Sequence, residues 1–188
     1  IKEWSETIIP NWDTNHAIGN KKIRTLCARG IPTNLRSQVW SLLIGNRIMI
    51  SKEIYKDYLQ LAEKVYIEQK EIALNIDKNT TKNELTSKEK KRTASIILIE
   101  NDQRRTFPNL AFFHNSKDQE RLVRILKVYA CCRPDMGYVQ GMSYVAGILL
   151  LILGSELETF TCFLNLMDSR NNVQFYQLDQ STIVRYTI

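Results

Sequence analysis

The stretch that decides the fold class is Ser116-Lys-Asp-Gln119-Glu-Arg-Leu122-Val-Arg-Ile125-Leu126-Lys-Val-Tyr129-Ala-Cys-Cys-Arg-Pro134. It opens on a Ser-x-x-Gln capping-box pattern, which satisfies free backbone amides at a helix N-terminus. The apolar residues then recur at steps of three and four, the period of one helix face, until the proline ends the segment. The stretch therefore predicts an amphipathic α-helix with one buried face.

The same period recurs on both sides of this stretch. Ser51 opens a long segment whose apolar stripe we expect to be buried, and the stripe consists of Ile54, Tyr58, Leu61, Val65, Ile72 and Ile76. The longest apolar run, 145–153, predicts a central buried helix, and Ser155 with Glu158 forms a second capping box. Because the alternation typical of strands is nearly absent, we expect an all-α fold.

Two connections separate these helices. Residues 78–93 are rich in Asn, Thr, Ser and charge, which predicts a solvated polar loop. An apolar pattern at 94–99 then predicts a short helix, and Asp102 and Arg105 lie at its C-terminal end. Pro108 ends this helix, because proline cannot continue the backbone hydrogen bonds. Pro134 and two glycines make 134–141 a tight connection, and we expect it to present Gln140 at the start of the next helix.

Length, composition and charge exclude several classes of protein. With 188 residues, 44% of them hydrophobic and 24% charged, the chain has the composition of one soluble globular domain. The run at 145–153 is about half of the ~20 residues that a membrane span requires, so we expect no transmembrane segment. A net charge of +6 fits an acidic partner, a nucleic acid or a membrane surface, but no basic stripe or module indicates nucleic-acid binding.

Cysteine and histidine usage argues against a metal site. Cys27, Cys131, Cys132 and Cys162 show no C-x-x-C spacing, and His16 and His114 lie far from them in sequence. We therefore expect no metal, and thiols packed in the core of a cytoplasmic protein. The chain lacks a G-x-x-x-x-G-K-[ST] phosphate loop, so we do not expect it to hydrolyse nucleotides itself.

Both ends suggest an excerpt from a longer protein. The first residue is not methionine and no secretory signal opens the chain. A helical start at 181–188 carries apolar residues that nothing later in the sequence covers, so we expect further helices beyond it.

Three motifs occur in a fixed order along the chain. They are Arg29-Gly30-Ile31-Pro32 followed by Arg36-Ser-Gln-Val39-Trp40, then Ile99-x-x-Asp102-x-x-Arg105-Thr106-Phe107-Pro108, then Tyr138-x-Gln140-Gly141-Met142. Together they resemble the TBC-domain family, the all-helical GTPase-activating proteins of Rab GTPases. The resemblance covers about residues 21–188 and implies a multi-helix TBC (Rab-GAP) fold, truncated at the C-terminus. Residues 1–188 would then be the N-terminal and central part of a single TBC domain.

The resemblance also assigns site residues. It implies that Arg105 and Gln140 are two catalytic fingers inserted into the active site of a Rab. Asp102 would orient the guanidinium, Thr106, Tyr138 and Gly141 would support the loops, and Arg36 and Trp40 would be structural. Alone, Arg105 would be interpreted as a helix-capping arginine bonded to Asp102, and Gln140 as an ordinary turn residue.

Several details of the motifs refine this assignment. The spacing from Ile99 and Asp102 selects Arg105 as the finger rather than Arg104, which we expect to face solvent or to steer phosphate. We also expect Tyr138 and Tyr144 to pack behind the glutamine loop, and Arg36 to be paired near the active loops beside a buried Trp40. Ser143 departs from the family, which often has Asn there, and this puts the geometry of the loop in question.

The two residue types suit the chemistry that the resemblance implies. In phosphoryl transfer, charge spreads over the γ-phosphoryl oxygens, and a planar guanidinium donates several hydrogen bonds to it. A carboxamide can accept from the attacking water and donate to the phosphate. The chain would thus be an activator of a GTP-bound Rab, with GTP and Mg²⁺ held by the partner and no cofactor of its own.

An alternative remains open at this point, a non-catalytic adaptor or scaffold that binds a Rab without accelerating hydrolysis. In either case we expect a cytoplasmic protein that regulates membrane trafficking, with peripheral recruitment to endosomal or other trafficking membranes.

Overall fold

The computed structural model describes residues 2–13, 20–74, 86–103, 105–114 and 116–176, apart from the side chains of 72–74 and 114. In these ranges the regular elements are a π-helical turn (Glu3–Ile8), α1 (Lys21–Ala28), α2 (Thr33–Ile44), α3 (Lys52–Leu74), α4 (Ser87–Gln103), a 3₁₀ turn (Ala111–His114), α5 (Ser116–Cys132), α6 (Met142–Leu153), α7 (Glu156–Met167) and α8 (Arg170–Tyr176). No strand occurs within them, which confirms the all-α prediction. None of these helices is long and apolar enough to cross a bilayer.

The helix α5 forms the centre of the domain, where it packs against α3, α4, α6 and α7. Its predicted apolar face is buried as expected, and that face consists of Leu122, Ile125, Leu126 and Tyr129. The Tyr129 ring meets the Phe163 ring of α7 edge-on at 4.9 Å between centroids. Burial of each such side chain stabilises the fold by about 1.5–3 kcal/mol, so this one face is a large part of the core energy.

The buried face of α3 differs from the predicted stripe. Ile54 is 38% exposed, whereas its neighbour Tyr55 and Ala62, which are outside the stripe, are buried. Of the predicted stripe, Val65 is buried, and Tyr58 and Leu61 are partly buried against the core. The Tyr55 hydroxyl donates a 2.6 Å hydrogen bond to Glu156 at the start of α7, which turns Tyr55 toward the core in place of its neighbour. Ile72 and Ile76 of the stripe fall outside the side chains that the structure describes.

The predicted polar loop at 78–93 is wrong over its second half, because α4 begins at Ser87. Thr86 caps this helix: its hydroxyl accepts from the Glu89 amide at 3.3 Å, and the Glu89 carboxylate accepts from the Thr86 amide at 2.8 Å. This reciprocal pair is a capping box, and it starts a helix whatever the polarity of the following residues. Residues 75–85 lie outside the described part of the chain.

The apolar run that predicted a central buried helix forms α6, which is buried on one face only. Ala146 and Leu150 are fully buried, while Tyr144, Ile148 and Leu151 are more than 40% exposed. The predicted cap of the next helix is confirmed, because the Ser155 side chain accepts from the Glu158 amide at the start of α7. The helical start expected at 181–188, His16 and Arg104 lie outside the described residues.

All four cysteines are free thiols. Burial raises the pKa of Cys131 to about 11 and also raises that of Cys162, so both are neutral packing groups at physiological pH. Within the described residues, no group of three or more His, Cys, Asp or Glu side chains is placed to hold a metal ion.

Candidate functional site

Arg105 stands at the C-terminal end of α4. The helix stops at Gln103, and the Arg105 amide donates to the Asp102 carbonyl oxygen at 3.0 Å, which continues the last turn. The Tyr144 hydroxyl of α6 donates to the Arg105 carbonyl oxygen at 2.9 Å. The backbone at Arg105 is therefore fixed on both sides, while its side chain is exposed.

Phe107 packs the loop after Arg105 against α6. This residue has a φ of 51°, in the left-handed region that side-chain-bearing residues rarely adopt. Its ring stacks on Phe113 at 5.6 Å and meets the Tyr144 ring edge-on at 4.9 Å. It also lies over Gly147, where an added Cβ would come within 2.9 Å of the Phe107 ring. A glycine in α6 thus makes room for the arginine loop.

Gln140 lies on the connection between α5 and α6, which two glycines shape. Gly137 has a φ of 67°, and an added Cβ there would lie 2.8 Å from the Ser95 hydroxyl oxygen of α4. That hydroxyl accepts a 2.9 Å hydrogen bond from the Tyr138 amide. Gly141 has a φ of 93° and forms the N-cap of α6, which leaves the preceding Gln140 exposed. The predicted tight turn is confirmed.

The buried carboxylate of Asp102 joins the two loops. Its Oδ2 accepts hydrogen bonds from the Tyr138 hydroxyl, from the Gly141 amide at 3.2 Å and from the Ser143 hydroxyl at 3.2 Å. Burial and the hydrogen bond to Asp102 raise the pKa of Tyr138, so its hydroxyl remains a donor. Three donors from the glutamine loop and the start of α6 therefore converge on one carboxylate of the arginine segment.

This arrangement corrects the role expected for Asp102. From its sequence position Asp102 is expected to orient the Arg105 guanidinium, but no hydrogen bond or ion pair between the two side chains occurs among the described residues. Because the carboxylate points into the protein and is engaged there, it orients the Gln140 loop instead. The capping interpretation of Arg105 as an arginine bonded to Asp102 fails for the same reason.

Thr106 and Ser143 form a second link between the loops. Both are buried, and their hydroxyl oxygens lie 2.7 Å apart. The Thr106 hydroxyl also donates to the Asp102 carbonyl oxygen at 3.0 Å. The departure at Ser143 is thus accommodated, because the short serine side chain fits between Thr106 and the Asp102 carboxylate.

Arg105 and Gln140 line the same cleft. The cleft has a volume of about 650 Å³ and is lined by Leu98, Glu100, Asn101, Asp102, Arg105 and Gln140. We call it the Arg105–Gln140 cleft. Within the described part of the chain, neither the guanidinium nor the carboxamide has a hydrogen-bond partner, so both are free to bind a group from outside.

The other predicted residues, Tyr144, Arg36 and Trp40, do not line the Arg105–Gln140 cleft. Tyr144 is 41% exposed and lies on the arginine loop, not behind the glutamine loop as expected. Arg36 donates to the Ile31 carbonyl oxygen at 3.2 Å, in the turn before α2, and within the described residues it forms no hydrogen bond or ion pair with the active loops. Trp40 is partly buried against the main core.

Sequence reasoning missed Ser95 and Gly147 as supporting residues. Ser95 was visible as a small polar residue on the apolar side of the helix before the arginine. Gly147 was visible as a glycine inside an apolar helical run, a position that often marks close packing.

Comparison with known proteins points to one family. A family model described as the Rab-GTPase-TBC domain matches residues 33–187. The chain is 35% identical to TBC1 domain family member 12 of Xenopus tropicalis over 184 residues. This alignment covers 97% of the present chain and 26% of the Xenopus protein. It is 36% identical to TBC1 domain family member 14 of Homo sapiens over 188 residues, an alignment that covers 99% of the present chain and 26% of the human protein. It thus spans about a quarter of the length of these curated relatives.

More distant matches extend the comparison. Drainin of Dictyostelium discoideum is 31% identical over 217 residues, with 98% of this chain and 49% of that protein covered. A solved structure of a Chlamydomonas flagellar RabGAP TBC domain superimposes with a TM-score of 0.57 at 18% identity, over 87% of this chain and 53% of that one. The chain belongs to the Rab-GTPase-TBC domain family.

Proposed function

We propose that this chain accelerates GTP hydrolysis by a Rab-family GTPase in its GTP-bound form, with Arg105 and Gln140 inserted together into the partner's nucleotide site. The observation that carries the proposal is the pair of exposed, unpartnered side chains on one cleft. Gln140 lies on a loop bound to the Asp102 carboxylate, and Arg105 lies three residues after Asp102 at the end of α4. Family membership makes a Rab the expected partner.

Each side chain has a distinct role in this proposal. Arg105 would donate to the γ-phosphoryl oxygens and the leaving oxygen as negative charge develops on them. Gln140 would accept a hydrogen bond from the attacking water and hold it in line. GTP and Mg²⁺ would be bound by the Rab, which supplies the reacting groups.

The buried polar groups at this site hold the two loops in position before the Rab binds. A guanidinium and a carboxamide assist the reaction only when both are held within a fraction of an ångström of the productive geometry. Asp102 binds the glutamine loop, while Phe107 and Tyr144 hold the arginine loop on α6. The backbones of the two loops therefore do not have to be ordered when the Rab binds, and only the two exposed side chains do.

The proposal is tested by single-turnover phosphate release from a panel of GTP-loaded Rabs with saturating protein. On the responsive Rab, Arg105→Ala is expected to lose about 10³-fold or more in rate, or roughly 4 kcal/mol of barrier stabilisation. Gln140→Ala should lose activity on the same Rab, and Lys56→Ala, an exposed cation on α3, serves as a matched control.

The outcomes separate the candidate functions. Equal rates for wild type and both variants on a responsive Rab would refute the two-finger assignment. Binding of a GTP-loaded Rab without any acceleration, unaffected by either substitution, would establish an adaptor instead. We also propose that the parent protein acts at trafficking membranes such as endosomes, because its Rab substrate would be membrane-attached. Fluorescence microscopy of the tagged full-length protein tests this, and localisation only to compartments without trafficking membranes would refute it.

A further inference from the structure

A second cleft lies at the other end of α4, about 20 Å along the helix axis from Asp102. It has a volume of about 600 Å³ and is formed by the first turns of α4 and the C-terminal end of α5. It shares no lining residue with the Arg105–Gln140 cleft. We call it the basic cleft, because Lys88, Lys91 and Arg92 line it.

The three cations of the basic cleft lack internal counter-charges. Within the described residues, none of them forms an ion pair. The Arg92 guanidinium donates one hydrogen bond to the Cys131 carbonyl oxygen at 3.2 Å, while its Nε is buried with no partner in the same part of the chain. A buried guanidinium N–H without an acceptor is costly, so the charge of Arg92 is not neutralised from inside the described part of the protein.

The acidic groups near the cleft are already compensated. Asp135, which lines it, accepts from Arg133 at 2.8–3.2 Å, and these hydrogen bonds hold the pKa of its carboxyl below the usual range. The Glu89 carboxylate is occupied by hydrogen bonds from the Thr86 hydroxyl and amide, with Arg92 a weaker influence on its pKa. Neither acid therefore neutralises the three cations.

The remaining walls favour an anion. Burial raises the pKa of the lining thiols Cys131 and Cys132, so they are neutral at physiological pH. The cleft also opens beside the N-terminus of the 17-residue helix α4, where the helix dipole is positive. Three uncompensated cations suit a multiply charged phosphate better than a single carboxylate, and the volume fits a small-molecule ligand.

From these observations we propose that the basic cleft binds a polyphosphorylated anion, either a soluble inositol phosphate or the headgroup of a phosphoinositide lipid. This site is independent of the proposed GTPase activation, since it uses other residues at the other end of α4.

Calorimetric titration of the chain with inositol hexakisphosphate tests the proposal. We expect saturable binding that weakens as salt is raised. The Lys88→Ala/Lys91→Ala double variant should bind about tenfold or more weakly, because two charge-assisted contacts are lost. The control is Lys52→Ala/Lys56→Ala, which removes two exposed cations from α3 and should bind as wild type does.

The two sources of the anion are distinguished by flotation with phosphatidylcholine vesicles, with and without phosphatidylinositol 4,5-bisphosphate. Lysine-dependent flotation with the lipid identifies a headgroup ligand, and calorimetric binding without flotation identifies a soluble one. Absence of saturable binding, or equal weakening in both double variants, would overturn the proposal. Unchanged thermal melting of the Lys88→Ala/Lys91→Ala variant shows that lost binding does not reflect unfolding.

Discussion

The substitution Asp102→Asn is expected to damage both stability and activation although it leaves Arg105 and Gln140 in place. In the structure, Asp102 Oδ2 accepts hydrogen bonds from Tyr138, Gly141 and Ser143 in a buried setting. Asparagine has nearly the same shape but no charge. Its amide nitrogen is also a donor, which would face three donors if the side chain turned the other way.

The size of the effect follows from these three contacts. Hydrogen bonds to a charged group contribute about 1.5–3 kcal/mol, against about 0.5–1.5 for neutral pairs, so each bond should lose about 1 kcal/mol. The expected cost is about 3 kcal/mol of unfolding free energy. For a chain of this length that lowers the melting temperature by roughly 6–12 °C.

Urea and thermal unfolding measure the stability, and single-turnover hydrolysis at a temperature where the variant is folded measures the activity. Asp57→Asn is the matched control, because Asp57 is an exposed aspartate on α3 and its change should stay within about 0.5 kcal/mol. A double-mutant cycle with Tyr138→Phe should show coupling, since the two groups share a hydrogen bond. Unchanged stability and rate in Asp102→Asn, or additive effects with Tyr138→Phe, would refute this account of the carboxylate.

Two further predictions concern the packing around the site, and a third concerns the partly buried ion pair at the start of α7. Gly147→Ala should destabilise the fold by about 1–2 kcal/mol in urea unfolding, because the clash with the Phe107 ring outweighs the better helix propensity of alanine; a stabilised variant would contradict this. Ser143→Ala should cost about 1–2 kcal/mol in urea unfolding and slow activation, because the hydroxyl contacts with Thr106 and Asp102 are lost; unchanged stability would argue against the hydroxyl link. Burial raises the pKa of Glu156, but hydrogen bonds from Arg124 and Tyr55 outweigh burial and leave it below 4.5. Its stabilising contribution is thus present above pH 4.5 and is lost as the pH falls through the lowered value, so Glu156→Gln should flatten the acid side of the stability profile.

Local sequence patterns were sufficient to predict those helices whose position and buried face are set by residues a few positions apart. The face of α5 and the Ser155 cap could be predicted because periodicity and capping residues act within a few positions. The start of α4 was missed because the charge of residues 87–93 was weighed and the Thr86–Glu89 box was not. The apolar run of α6 gave a helix but could not indicate which of its sides would be covered.

The site shows the same division. Arg105 and Gln140 could be selected by their motifs, and their shared cleft agrees with that choice. The partner of Asp102 could not be predicted, because it depends on how closely two segments 36–41 residues apart approach each other. The contact between Ser143 and Thr106 is also long-range, 37 residues apart, and no local pattern specifies it.

The most direct test of the central claim, that Arg105 and Gln140 enter one nucleotide site together, is binding to the responsive Rab loaded with GDP and aluminium fluoride. This complex mimics the transferring phosphoryl group, so an activator that stabilises the transition state should bind it more tightly than the GDP form. The account predicts a stable complex for the wild-type chain and its loss in both Arg105→Ala and Gln140→Ala. A complex of equal affinity in all three proteins, or one that forms equally well with GDP alone, would contradict it.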